Sequence, residues 1–131
     1  MGMFDAIGIA STGLTVHRKW MDAISDNIAN VNTVKPMSEA AFQARYVEVQ
    51  EGDGVSGVYV KGAAFGSAAG RVTYSPDDPQ ADENGYVRMP DVDLGTQMAD
   101  LIMAQRGYQA NAAVVDRAKT SYEAALEIGR N

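Results

Sequence analysis

The chain has 131 residues, 46% of them hydrophobic but only 8% aromatic, with a net charge of −6 and no cysteine. Such a length suits one domain, or a small domain with helical extensions, and alanine-rich apolar content suits packed helices more than a thick core. The acidic balance, with no basic block, excludes non-specific binding to nucleic acid or an anionic membrane; the absence of cysteine excludes disulfides, thiolate metal sites and cysteine nucleophiles. No run of 18 apolar residues occurs, so no membrane-spanning helix is expected. Arg18 and Lys19 follow apolar sequence rather than precede it, and Asp5 sits where a leader would be basic, so no cleaved secretory leader is expected.

From the start of the chain, Met3, Ile7, Ala10, Leu14, His17, Met21, Ile24, Ile28 and Val31 recur in alternating steps of four and three. This is a heptad stripe, the mark of a helical seam. Pro36 ends it and pushes Lys35 toward extended geometry. Just before that stop, "SDNIANVNT" (25–33) places Asn27, Asn30 and Asn32 within six residues. Asparagine is a mediocre helix former that favours caps and turns. Asn32 and Thr33 are therefore expected to end the helix. Asn27 and Asn30 are expected either to face water or to bond groups of neighbouring helices. Asn111, further along, supplies a matching amide.

Between about residues 38 and 90 the helical period disappears and glycines punctuate short β-like runs. "FQARYVEV" (42–49), "VSGVYVKG" (55–62), "RVTYS" (71–75) and "GYVRM" (85–89) are predicted strands of one antiparallel meander, with "EGDG" (51–54) as the first hairpin turn. Residues 52–57 match GxGxxG, but an alternating strand pattern follows them where a phosphate-binding loop would open a helix. The segment "SPDDPQADENG" (75–85) is predicted as a structured loop, because Pro76 and Pro79 exclude a helix and a central strand. Asp82, Asn84 and Gly85 imitate part of a calcium loop. Gln80 and Asp91 break its first and twelfth positions, and Pro90 denies the exit helix, so Asx turns are expected instead of calcium.

A second heptad stripe follows: Leu94, Met98, Leu101, Gln105, Tyr108, Ala112, Val115, Lys119, Tyr122 and Leu126. Asp93 can cap its start, and Gln105 and Lys119 read as polar seam positions that fix register. The expected fold class is α+β: long N- and C-terminal helices paired as a coiled-coil-like hairpin, with a small antiparallel β insert. The divisions are 1–34 for the first arm, 35–91 for the insert with its Pro/Asp-rich loop, and 92–131 for the second arm. Two arms bury one narrow stripe each, leaving Phe4, Ile9, Trp20, Ile102 and Val114 in need of a cover, and such surface marks an interaction site. His17 is the only histidine and lies on the seam, so packing is its expected role. With no nucleophile or metal motif, neither an enzyme nor a cofactor is expected.

"DNIANVNT" after a heptad arm resembles the SxNIANxNT signature of the flagellar rod, hook and hook-associated axial proteins, with Asp26 where that pattern has serine. "QRGYQANAAVVDRAKTSYEAALEIGR" is similar to the family's C-terminal helix, with its Tyr-x-Ala-Asn core at residues 108–111. "YSPDDPQADENGYVRMPDVDL" (74–94) resembles the loop of the family's proximal-rod member, and the short length agrees. The resemblance implies a structural subunit of the basal-body proximal rod in the cell envelope, in the periplasmic space. It implies export by the flagellar type III apparatus without cleavage, and assembly with other proximal and distal rod subunits and the membrane-ring adaptor into the torque-transmitting shaft. It implies no partner nucleic acid and no membrane insertion. Ile7, Leu14, Met21, Asn27, Ile28, Asn30, Asn32, Met98, Leu101, Gln105, Tyr108, Asn111, Val115 and Tyr122 are then the expected assembly residues. Pro76, Pro79, Asp82 and Gly85 shape the insert loop. Free arms are expected to be largely disordered or loosely helical, since helix stability comes mostly from packing. The alternative is a soluble helical-hairpin adaptor, or chaperone-like module, for one dedicated partner.

Overall fold

In a computed structural model, which describes residues 2–54 and 56–130, two long helices flank two small antiparallel sheets. Helix α1 spans Met3–Ala29 and helix α2 spans Leu94–Arg130. Strands β1 (Arg45–Glu51) and β2 (Val58–Phe65) form one hairpin; β3 (Arg71–Tyr74) and β4 (Tyr86–Met89) form the other. The α+β class expected from the sequence is what the chain adopts. At 1.5 Å per residue the helices are roughly 40 and 55 Å long.

The start of α1 is held by the Asp5 carboxylate, which accepts the Gly2 N–H at 3.1 Å. Its end corrects the sequence expectation. The helix stops at Ala29 and Asn30 is the C-cap, not Asn32 or Thr33. Asn30 serves there because its side-chain N–H bonds the Asp26 carbonyl at 2.9 Å while its Oδ1 accepts the Thr33 hydroxyl at 3.1 Å, closing the following turn. Asp93 starts α2 as expected. Its carboxylate accepts both the backbone N–H and the hydroxyl of Thr96, at 3.0 and 2.5 Å.

The single four-stranded meander is also corrected: β1 pairs only with β2, and β3 only with β4. The stretch 36–44, read partly as strand, is an irregular strap. It is stitched by Ala41 N–H to the Ala68 carbonyl (2.8 Å) and by Gly66 N–H to the Ala44 carbonyl (2.8 Å). Lys35 bridges to Arg88 on the free edge of β4, and the Arg88 guanidinium reaches back to the carbonyls of Met37 and Ala69. These bonds take the backbone groups that a continuous sheet would need, so the two hairpins stay separate. Ala41, Ala44, Val87, Pro90 and Val92 form the buried heart of this region. Gly70 sits at φ +61, where an added Cβ would run into the Met89 carbonyl and the Ala41 methyl, so only glycine fits.

Strand β1 ends at Glu51 and β2 begins at Val58, so the connection is longer than the expected "EGDG"; the Gly52 N–H donates to the Gly57 carbonyl across it at 2.7 Å. A strand follows it, so the GxGxxG match is a hairpin turn. Lys61 is the extra residue of a bulge that shifts the register beside Val49. In the Pro/Asp loop, Asp82 Oδ1 accepts the N–H groups of Asn84 and Tyr86 at 2.9 and 2.8 Å, and Asp78 Oδ1 accepts that of Gln80 at 2.8 Å. These are the expected Asx turns. Among the described residues no group of three metal-ligating side chains occurs.

Candidate assembly interface

The helices run antiparallel, and four pairings along their length fix the register. Near one end Phe4 lies edge-on to Tyr122 with ring centroids 5.2 Å apart. In the middle, Gly13 faces Asn111 and Gly107 faces His17. At the other end Asn27 meets Gln97.

The central pairings are reciprocal. His17 Nδ1 donates to the carbonyl of Gly13, one turn back on its own helix, at 2.7 Å, while its ring fills the space a side chain at Gly107 would need. Asn111 mirrors this: its amide donates to the Gly107 carbonyl at 2.9 Å and fills the notch above Gly13. Each polar side chain thus donates to a carbonyl of its own helix, and its bulk locks into the glycine of the other. The lone histidine is a packing element, as its seam position suggested.

Asn27 is 0% exposed, and it answers why amides crowd the end of α1. Its Nδ2 donates to the Arg45 carbonyl and to Gln97 Oε1, both at 3.0 Å, and its Oδ1 accepts the Arg45 N–H at 2.8 Å. One side chain ties α1 to β1 and to α2. Arg45 adds an ion pair with Asp26, the position where the family pattern has serine. At the opposite end of the hairpin, Thr12 Oγ1 accepts the Val58 N–H at 3.1 Å. The β1–β2 hairpin therefore lies along α1, giving that helix two covers within one chain. Ala10, Gly13, Val16, Ala23, Ile24 and Asn27 of α1 are buried, whereas α2 buries only Gln97 and Ala104.

The expected assembly residues separate into groups. Asn27 is consumed inside the chain, so it offers no surface to a neighbour. Ile7, Leu14, Met21 and Ile28 on α1, and Leu101, Asn111 and Val115 on α2, are half-buried. Tyr108 and Tyr122 are partly open on the α1-facing side. Asn30 is the cap, and Asn32 is exposed. Met98, Gln105 and Lys119 correct the predicted seam, because all three are exposed. The inner line of α2 is Gln97, Leu101, Ala104, Tyr108, Asn111, Val115, Ala118 and Tyr122, shifted by one residue at alternate positions. Small Ala104, at 0% exposure, lets the helices approach where Gln105 could not. In the insert loop Pro76, Pro79 and Asp82 are exposed, while Gly85 is buried at φ +85. Gln97, Gly13, Gly107 and Arg45 were not singled out from the sequence; the reciprocal G-x-x-x-H (13–17) and G-x-x-x-N (107–111) spacings were the available signal.

What remains open is the outward side of α2. Met98, Ile102, Met103 and Val114 are exposed away from the inner line, and Leu94 is exposed at the start of the helix. Beyond Tyr122, the partner of Phe4, α2 continues to Arg130 with every residue exposed, including Leu126 at 50% and Ile128 at 78%. No helix among the described residues is long and apolar enough to cross a membrane.

Two family models match the two helical ends. Residues 7–36 match the model described as "Flagella basal body rod protein". Residues 83–128 match "Flagellar basal body rod FlgEFG protein C-terminal". Full-length relatives agree. The chain is 33% identical to the flagellar basal-body rod protein FlgC of Borreliella burgdorferi, over 98% of each chain. It is 31% identical to FlgC of Salmonella typhimurium over 99% of this chain and 100% of that one. It is 33% identical to FlgC of Aquifex aeolicus over 97% of each. With both helical ends matched and relatives aligned end to end, the chain belongs to the FlgC family of flagellar basal-body rod proteins, structural subunits of the rod.

Proposed function

We propose that this chain is a proximal-rod subunit in which a preformed α1–hairpin–α2 unit docks through the open side and distal end of α2. The observation that carries this reading is the asymmetry of cover: α1 is sheltered by α2 and the hairpin, while α2 buries only Gln97 and Ala104. A long helix with apolar residues on its open side gains stability by packing against further helices. In such a rod, residues 1–34 and 92–131 form the core arms, and the insert 35–91 faces outward and sets contacts specific to its level. Other rod subunits and the membrane-ring adaptor are its neighbours in the periplasmic space, and the flagellar type III apparatus delivers it uncleaved. A shaft built from interlocked helices transmits torque because its contacts are broad and fixed in register.

Substituting Ala112→Pro tests this reading. Proline removes a helix hydrogen bond and clashes with the preceding turn, costing about 3 kcal/mol or more. Cells carrying the variant as their only copy are expected to lose the protein from isolated basal bodies and to lose motility. Normal incorporation and swimming would overturn the role given to α2.

A further inference from the structure

A cavity of about 420 Å³ lies between α1 and the β1–β2 hairpin. Ala23, Val60 and Ala63 give it an apolar floor, and Lys19, Asp22 and Arg45 stand at its rim. The floor is low because Gly62 also lines it and has no side chain. Arg45 is engaged by Asp26, but Lys19 and Asp22 take part in no ion pair among the described residues.

We infer that the distal end of α2 from one copy of this chain plugs this groove in a second copy. This rests on the reading of the chain as an assembling rod subunit and names one contact within it. Glu123, Leu126, Glu127 and Arg130 are all exposed on the part of α2 beyond Tyr122. At 100° per residue they fall within an arc of about 100° on one side of the helix. That arc presents one apolar knob framed by two carboxylates and one guanidinium. Leu126 fits the apolar floor, Glu123 and Glu127 meet Lys19, and Arg130 meets Asp22. The three charged plug residues, Glu123, Glu127 and Arg130, make no ion pair among the described residues, and neither do their proposed partners Lys19 and Asp22.

The same molecule cannot make this contact. His17, two residues before Lys19, lies opposite Gly107, so Leu126 is 19 residues further along a continuous helix, or roughly 29 Å from the level of the groove. The contact is therefore intermolecular and joins two different patches. Such heterologous contacts propagate into rings or helical filaments.

The chain has no cysteine, so introduced thiols report only on their own contact. Basal bodies are isolated from cells whose only copy carries Ala63→Cys and Leu126→Cys together, then exposed to a mild oxidant. A disulfide forms only where the two Cα atoms come within ~7 Å. The expected result is conversion of the 14.0 kDa monomer to a band of twice that mass and higher multiples. Adding Lys19→Glu should abolish most of the cross-link, and adding Glu127→Lys on top should restore it. Moving the second thiol to Ser121, on another side of α2, should give no ladder. If the double-cysteine chain is present in basal bodies but stays monomeric on oxidation, or if the Ser121→Cys control cross-links equally, the plug is refuted while the rod assignment stands. If neither single-cysteine variant enters basal bodies although both fold, the rod assignment fails and the plug with it.

Discussion

Replacing Asn27 by alanine removes a side chain that is wholly enclosed and bonded to two other elements. Three groups lose a partner: the Arg45 N–H, the Arg45 carbonyl and Gln97 Oε1. Stranding a buried polar group costs about 1–3 kcal/mol. Arg45 is only half-buried, so its backbone recovers part of that loss from water. Gln97 is 3% exposed and recovers little. A net loss of ~3–5 kcal/mol is expected, a large share of the ~5–15 kcal/mol that holds a typical domain together. Urea unfolding of the purified chain, followed by circular dichroism, measures it. The companion measurement is the cycle with Gln97→Ala. If the two amides act on each other, the double variant should be less destabilised than the sum of the singles by ~1–3 kcal/mol. A single-variant loss below ~1 kcal/mol, or a strictly additive cycle, would show that Asn27 is not the clamp described.

Other expectations follow from the same contacts. Gly107→Ala should destabilise the chain by ~1–3 kcal/mol through overpacking against the His17 ring, although alanine favours helix over glycine. Adding His17→Ala should return much of that loss, and an additive result in the same unfolding assay would refute the interlock. Asp93 is held below its ordinary pKa of 3.8, first by the Thr96 hydroxyl and then by the Thr96 N–H. A carboxylate depressed in the folded state stabilises it fully above the unfolded pKa, and that contribution is lost as pH falls through the folded value. The melting-temperature gap between wild type and Asp93→Ala should therefore hold steady from neutral pH to about pH 5 and narrow below it; a gap that widens in acid would contradict the cap.

The sequence made the two helices legible because their stripes are long and regular and their boundaries carry strong chemistry. Asp93 begins one as expected, and Pro36 lies beyond the end of the other. The α2 register was legible only in part. Apolar and inward are not the same property where two helices come very close, and there small Ala104 and Ala118 turn inward while Met98 and Gln105 turn out. The insert was read as one sheet because strand runs and glycine punctuation cannot tell one meander from two hairpins joined by a strap. That distinction rests on long-range bonds such as Lys35 with Arg88. Asn27 was singled out for its chemistry, but its partners lie 18 and 70 residues away, and no local pattern announces them. The expectation that both arms lack cover, and so are largely disordered when free, assigned no covering role to the hairpin, which shelters α1 through Thr12 and Asn27; only the distal end of α2 keeps that expectation.

Hydrogen exchange on the isolated chain and on assembled rods tests the central claim, that the α1–hairpin–α2 unit forms first and the open helix is covered by neighbours. In the isolated chain, amides of residues 7–29 and 97–112 should exchange slowly and those of 119–130 quickly, with the latter becoming protected in the rod. Uniformly fast exchange along both helices of the free chain, or a distal α2 that stays unprotected after assembly, would contradict it.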